Sequence, residues 1–572
     1  MLHLKSLPIK RVLPWLLGGL LLVGIGLRFV NLESGIFWVD EVATAVRVRG
    51  YTQTEVVAAL ADGRPRSPTE LWQFVEAPSD RDRITTLNAL VQSPEHAPLY
   101  FLLTREWAAL FGPSPTTLRL LSVLLSLLTL PMLFWLCWEW LHSFLAGSIA
   151  VSLLAISPLF ISYAQEARPY SLWLFLLVLS GSLLMRAWKT RNLLLWVSYG
   201  LTLTLTLYTS LLSLPLVISQ GLYLTLAERG SKNIYRKPDT FSIKAVWGAI
   251  AFSILAFLPW LIVIGSQWDT LQSNTAWMQL PMGLVDRIGI WLYSISIPVF
   301  DVPVAPLGTL PSTLQILTSF GLLLVFKGML LRLMQRTSWR IWGWILALGL
   351  PIPVLLAIAD AALGGRRSTA PRYWIPAHLA IVLLIAAFAA WKPTGWLRTH
   401  QRRPWRLWLV TGLLGLSLVC ALGNLQRSPR YLKSRNINNP AIAAAINRAP
   451  NPQVFAEPTE VYDLISLSQA LEPTVAIHIL EASGIASPTA DRLRTQPLSC
   501  QATTFLFNPS PELEAVLGDR PGWTLQPAYA PDRLHAAEIS LAVWQIDPNC
   551  PSQASESYAN SLSTGQKPEN QS

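Results

Sequence analysis

Charge is what this 572-residue chain has least of: Asp, Glu, Lys and Arg make up 13% of it, against a hydrophobic content of 52%. Soluble domains carry about 25% charged residues, so a water-borne globular protein of this length is excluded. Cysteine and histidine are scarce too, at four and seven, and their spacing offers no zinc site. There is no Walker A or GxGxxG loop to cradle phosphates. The formal net charge of +11 comes from Lys and Arg spread over short links between apolar runs, with no basic patch interleaved with aromatics in a soluble segment. Nucleic acid is therefore not an expected partner.

What takes the place of charge is apolar length, with 25 tryptophans and a mean hydropathy of +0.39. A helix needs about 20 apolar residues to cross a ~30 Å hydrocarbon core. Such runs fall near 12–31, 115–137, 145–163, 170–187, 193–208, 210–227, 245–264, 311–331, 341–362, 373–391 and 406–423. They predict an all-α polytopic membrane protein of about eleven spans. Lys5, Lys10 and Arg11 precede the first run with no convincing cleavage site after it, as in a retained signal anchor.

The cations gather in alternate links. Arg186, Lys189 and Arg191 fall on one side with the runs 229–244, 327–340 and 392–406. That excess marks the cytosolic side, and sets the N-terminus inside and the C-terminus outside at the plasma (inner) membrane. Five outer segments follow: 32–114, 165–170, 266–311, 364–372 and everything after Leu422. Polar chemistry is concentrated there.

Three domains are expected: a transmembrane domain over 1–423, an extracytoplasmic α/β domain over 424–551 and a disordered polar tail over 552–572. In the first, the outer loop 32–114 carries Thr54–Ala61, Pro68–Glu76 and Ile84–Gln92, apolar at three- and four-residue spacing, as interfacial helices. The second alternates helical patches at Pro440–Arg448 and Glu460–Leu471 with strand-like runs at Gln453–Ala456, Thr474–Ile479, Thr503–Phe507 and Glu538–Ile546. Cys500 and Cys550 both lie in it, and an oxidising compartment favours a disulfide between them. Cys137 and Cys420, in or near spans, read as packing residues.

Two adjacent carboxylates, Asp40 and Glu41, follow the first apolar run directly. At a membrane face they suit a general base or a cation site, where plain loop polarity is the bland alternative. His96, with an ordinary pKa near neutrality, suits proton sharing with Asp40 or a purely structural place.

Trp38-Val39-Asp40-Glu41, His96-Ala97-Pro98-Leu99-Tyr100, Phe111-Gly112 with Leu118-Arg119-Leu120, Ser157-Pro158 with Tyr163 to Ser171, and Pro371-Arg372-Tyr373 occur in that order. Taken together, they resemble the landmarks of GT-C membrane glycosyltransferases related to protein O-mannosyltransferases and lipid A aminoarabinose transferases, a glycosyltransferase family 39-like set. The resemblance spans about residues 10–390. It departs at Ala97, where the family often has a first proline.

The resemblance implies inverting transfer of a sugar from a polyprenyl-phosphate donor to a glycolipid, polysaccharide or protein acceptor on the non-cytosolic side, among membrane lipids. The residues suit that reaction. An acceptor hydroxyl needs a base, for which Asp40 is the candidate, with Glu41 orienting it or the acceptor. The anionic leaving phosphate needs cations, and Arg168, Arg366, Arg367 and Arg372 lie outside against the positive-inside trend. Arg372 with Arg366 or Arg367 are the candidate phosphate ligands. Trp38, Tyr100 and Tyr373 are further candidates for substrate contact. Glu166 either pairs with Arg168 or helps Asp40 hold a sugar. No cofactor is required; if a divalent Mg2+ or Mn2+ binds, Asp40, Glu41 and Glu166 would supply its oxygens. Two alternatives stay open: a polymerase or ligase using a lipid-diphosphate donor, and a lipid or sugar transporter, although intramembrane charges are few and no clear internal repeat is present.

Overall fold

A computed structural model describes residues 9–76, 81–230, 239–302, 310–391, 405–425, 434–481, 483, 486, 488–495, 501–518, 523–529 and 541–548. The expected disulfide between Cys500 and Cys550, and the tail from Ser552, lie outside the described residues. From the N-terminus, α1 (Ile9–Leu27) leads to five shorter helices: α2 (Val39–Val48), α3 (Gln53–Leu60), α4 (Pro68–Glu76), α5 (Arg83–Val91) and α6 (Leu99–Phe111). Then come α7 (Pro115–Leu141), α8 (Phe144–Ile156), α9 (Pro158–Ala164), α10 (Tyr170–Thr190), α11 (Leu193–Leu207), α12 (Ser213–Arg229) and α13 (Thr240–Ser266). After α14 (Trp268–Asn274) and α15 (Leu284–Ser296), the helices are α16 (Leu310–Arg336), α17 (Trp339–Gly349), α18 (Pro351–Leu363), α19 (Ile375–Ala390) and α20 (Trp405–Leu425).

Each apolar run of the sequence has become helix, but not always a full span. Among the described residues six helices are long and apolar enough to cross a bilayer: α7, α10, α13, α16, the stretch Pro371–Ala390 that contains α19, and α20. Counting the bent pairs α8/α9 (63°) and α17/α18 (46°) as single spans gives up to eight, against the eleven expected. The shortfall is one of length. Val12–Leu27 and Leu193–Leu207 are apolar but short, and 15 residues of α11 rise only about 23 Å at ~1.5 Å per residue. The division expected near Tyr208-Thr209-Ser210 is present, since α11 ends at Leu207 and α12 begins at Ser213.

One compact unit is formed by the described chain up to Gln53 and from Val75 to Ile437. In it α7 packs along α8 and α10, while α19 packs along α8 and α17. Small residues permit the closest approaches: a Cβ on Gly24 of α1 would stand 2.4 Å from the carbonyl carbon of Ala155 in α8. The break between α8 and α9 at Ser157-Pro158 leaves the last carbonyls of α8 without partners in their own helix. Arg28, fully buried, supplies them. Its guanidinium donates to the carbonyls of Leu154 (3.0 Å), Ala155 (2.5 Å) and Gly24 (2.7 Å), and its Nε to Ser126 Oγ (3.0 Å). The one charge in the first apolar run is thus the cation at a helix C-terminus, a favourable placement.

The second unit joins Thr54–Phe74 to the described residues from Asn438 onward. It adds α21 (Asn439–Asn447), α22 (Val461–Ser468), α23 (Pro488–Thr495) and α24 (Pro511–Gly518) to a five-stranded sheet. The strands β1 (Gln453–Ala456), β2 (Ala476–Ile479), β3 (Thr504–Phe507), β4 (Trp523–Tyr529) and β5 (Val543–Pro548) lie in the order β2-β1-β3-β5-β4. β1 runs parallel to β2 and β3, whereas β5 is antiparallel to both β3 and β4. The outer-loop segment closes the open edge of β2: Gly63 N donates to Ile479 O (3.0 Å), Arg66 N to Ile477 O and Ile477 N to Arg66 O (both 2.9 Å). Gly63 adopts φ +71°, where a side chain would also meet Thr489. Most of α3 and α4, expected as helices lying on the membrane, therefore belongs to the unit that holds the sheet.

Replacing Arg28 with Ala should leave two buried carbonyls unpartnered, at ~1–3 kcal/mol each. The expected outcome is a clearly lower melting temperature of the detergent-solubilised protein, and a melt equal to wild type would remove Arg28 from the support of the α8/α9 break.

Candidate active site around Asp40

The segment after α1 is fastened by one ion pair. α2 starts as the Trp38 carbonyl accepts from Glu41 N (2.8 Å) and Val42 N (3.0 Å), which sets Asp40 and Glu41 in the first turn, where the helix dipole favours acids. Neighbours on a helix point about 100° apart, so the two carboxylates part company. Glu41 turns inward, fully buried, and receives Arg119 Nε on Oε1 and Nη2 on Oε2, both at 2.8 Å. Oε1 also accepts from Ala167 N (2.9 Å). The remaining Arg119 donors reach the carbonyls of Leu32 (2.7 Å), Gly35 (3.1 Å) and Ile36 (2.9 Å). Glu41 thereby ties α2, α7 and the 165–169 turn together, and any effect it has on substrate passes through the position of its neighbour.

Asp40 turns the other way. Its side chain keeps 26% exposure, and Arg168 Nη2 stands 3.6 Å from Oδ2. Arg168 Nη1 donates to Asp40 O (3.1 Å) and to Thr44 Oγ1 (3.0 Å), and the Thr44 hydroxyl donates to Asp40 O (2.9 Å). Burial disfavours the Arg168 charge, but Asp40 and Tyr170 outweigh it and hold the guanidinium above its ordinary pKa. The ion-pair partner of Arg168 across the chain is Asp40. Glu166 is also fully buried in the same turn, and Arg168 N donates to its carbonyl oxygen.

Arg372 joins this group, within electrostatic reach of Asp40, Tyr163, Tyr170 and Tyr373. Its guanidinium lies over Trp277 (5.1 Å) and Tyr373 (5.5 Å). Arg366 also faces Trp277 (5.8 Å), and its Nε donates to the Trp277 carbonyl (3.0 Å). Arg367 is engaged elsewhere: its Nη1 lies 3.4 Å from Asp360, which also caps Arg367 N (2.8 Å) and Ser368 N (2.7 Å). Of the two expected companions of Arg372, Arg366 shares its aromatic partner and Arg367 serves the 364–368 turn.

The sequence drew no attention to Thr44, Trp277 or Asp360. Tyr163 and Tyr170 stood inside the quoted motifs without a role, yet their rings lie 4.8 Å apart, both buried, and neither hydroxyl makes a hydrogen bond of good geometry among the described residues. Trp38 is buried and its Nε1 is likewise unpartnered there. Tyr100 is buried with its hydroxyl 3.0 Å from Ser122 Oγ, an internal use of that group. The Tyr373 hydroxyl points to Met278 Sδ at 4.0 Å. His96 packs on Phe101 (5.3 Å) and lies 3.6 Å from Glu95. Burial, and the cations Arg47, Arg168 and Arg372, hold its pKa well below 6.5. Among the described residues no group of three or more His, Cys, Asp or Glu is placed to hold a metal ion.

Two solved proteins superpose loosely on this chain. ArnT from Cupriavidus metallidurans, solved bound to undecaprenyl phosphate, matches 96% of this chain and 99% of its own at 13% identity and a TM-score of 0.46. The Archaeoglobus fulgidus oligosaccharyltransferase, tethered with an acceptor peptide, matches 91% of this chain and 69% of its own at 12% identity and a TM-score of 0.43. No family model matches the sequence, and no curated protein does.

Removing one partner of a buried ion pair costs ~3–5 kcal/mol, because the other charge is left without compensation. Arg119→Ala should therefore destabilise the protein by that order, and the double variant Arg119→Leu/Glu41→Leu should recover part of the loss; thermal melts of the purified protein measure both. His96 should stay neutral through mild acid. Its folded pKa lies below the unfolded 6.5, so the neutral ring contributes stability above that value, and the contribution is lost as pH falls through 6.5 toward the folded pKa. Histidine NMR in micelles should show no titration of His96 between about pH 7 and 6.

Proposed function

We propose that the protein is a membrane glycosyltransferase that moves a sugar from a polyprenyl-phosphate donor to an acceptor on the non-cytosolic face, with inversion. The observation that carries the reading is the meeting of one partly exposed carboxylate, Asp40, with the guanidinium of Arg168 at 3.6 Å and with Arg372 in electrostatic reach. The ordered motifs shared with GT-C enzymes support the same reaction class.

Asp40 is the general base. It takes the proton of the acceptor hydroxyl as that oxygen attacks C1 of the sugar and the C1–O bond to the carrier phosphate breaks. Arg168, 3.6 Å away, orients Asp40. Arg372, with Arg366 beside it on Trp277, neutralises the departing phosphate, and the buried hydroxyls of Tyr163 and Tyr170 are available as donors to it. In this reading a divalent cation is not required. A carrier phosphate is anchored at the bilayer boundary, which suits a site built where α10 and α19 begin. The orientation that follows from the cation bias puts the N-terminus in the cytosol and the sheet-bearing unit outside.

Membranes containing the wild type should transfer label from radiolabelled polyprenyl-phosphate hexoses to an endogenous acceptor. Asp40→Asn at matched expression should lower transfer by ~10²–10⁴-fold while donor retention persists, whereas Arg372→Gln should weaken donor retention itself. Undiminished transfer by Asp40→Asn would take Asp40 out of the chemistry, and no transfer by the wild type from any such donor would overturn the reading.

A further inference from the structure

At the far end of α19 from Arg372 lies a cavity of about 470 Å³. α19 has 16 residues, so the two places are about 24 Å apart at ~1.5 Å per residue, near the thickness of a hydrocarbon core. The cavity is walled by Phe388 and Trp391 from the end of α19, Trp405 and Arg406 from the start of α20, and Arg332 and Arg336 from the last turns of α16. Arg332 lies over the Trp405 ring at 4.6 Å and Arg406 over Trp391 at 4.7 Å, and Arg406 Nη1 also donates to the Trp391 carbonyl at 2.8 Å. Three guanidinium groups thus converge on one space, two of them held against indole faces.

No Asp or Glu is among the described residues that line it. A second cavity, of about 450 Å³, makes the contrast. It also holds cations, but its carboxylates answer them: Asp239 pairs with Arg191 at 2.9 Å, and Glu139 with Lys189 at 3.4 Å and Arg186 at 3.3 Å. Among the described residues that line it, the first cavity's positive charge has no carboxylate partner. Its apolar walls and its place at the ends of membrane-crossing helices complete the requirements of an amphiphilic anion. Arginine binds phosphate oxygens two at a time and stays charged, and basic pockets between helix ends are suited to lipid headgroups.

We propose that this cavity binds the phosphate-bearing headgroup of an anionic membrane lipid, on the membrane face opposite the Asp40 site. Arg332 and Arg336, both exposed, are the phosphate ligands. Arg406 sets the floor, and Trp391 and Trp405 flank the glycerol and the first acyl carbons. The site is separate from the proposed chemistry and does not depend on it.

The test uses the full-length protein in phosphatidylcholine vesicles carrying a trace of photoreactive phosphatidylglycerol, with labelled peptides mapped by mass spectrometry. Label is expected on the stretches around Arg332–Arg336 and Trp405–Arg406. Arg332→Gln/Arg336→Gln should cut it by about tenfold, with the thermal melt unchanged because both side chains are exposed. Arg229→Gln/Lys244→Gln, which removes the same charge elsewhere on that face, should leave it as in wild type. Excess inorganic phosphate should not compete, since it lacks the apolar part. Equal labelling by photoreactive phosphatidylcholine, an equal drop in the two double variants, loss of label to inorganic phosphate, or undiminished label in Arg332→Gln/Arg336→Gln would each overturn the proposal.

Discussion

The pair Glu41–Arg119 is the constraint on which the Asp40 site depends. A buried ion pair is a weak source of stability, because desolvation of two charges offsets most of their attraction. What it does supply here is position. The five donors of Arg119 are divided between one carboxylate and the carbonyls of Leu32, Gly35 and Ile36, a segment with no helix or strand of its own. Those carbonyls, one buried and two half-buried, lie in a segment with no helix or strand to pair them. Satisfying them from α7 fixes the entry to α2, and the second use of Glu41, at Ala167 N, brings in the turn that bears Arg168.

From that fixed frame the division between the two carboxylates follows geometrically. They are consecutive in the helix, and the 100° turn sends Glu41 into the bundle and leaves Asp40 partly exposed. Had both faced the same way, two like charges at close range would have raised one pKa and confused their roles. Instead Glu41 faces Arg119, Asp40 faces Arg168, and each acid has its own cation. Arg28 follows the same economy further into the bundle, where carbonyls at a helix break take the place of an acid.

Much of this was legible in the sequence, and the parts that were not share a physical cause. Apolar periodicity located the long helices of the bundle but not α2, α14 or α15, whose apolar residues are too few or too mixed with polar ones to stand out as runs, and β1 came out residue for residue at Gln453–Ala456. Adjacent carboxylates after an apolar run were visible; that Glu41 would be wholly buried was not, because its partner lies 78 positions away. Arg168 was open to pairing with Glu166 two residues off, yet tertiary packing gave it Asp40. Arg366 and Arg367 are indistinguishable as letters, and only the fold shows that Asp360 holds the second. β4 escaped notice because Pro527 sits within it, which is tolerated there since β4 is an edge strand of the sheet. The pairing of residues 63–66 with β2 crosses some 400 positions and leaves no local trace.

Cation placement at the two ends of α19 follows a common logic with different outcomes. At the Asp40 end, Arg168 has a carboxylate within 4 Å and Arg372 has aromatic neighbours and Asp40 in reach, so the positive charge is partly answered, as the proposed reaction would need in order to release its leaving phosphate. At the other end no carboxylate is among the described residues that line the cavity; Arg332 lies over an indole, and Arg406 lies over another and donates to a carbonyl oxygen. Ring faces attract a guanidinium through their quadrupole but do not neutralise it. A charge of that kind beside a membrane keeps its full attraction for phosphate, and this suits a lipid that stays bound, whereas a compensated site suits a leaving group that must depart.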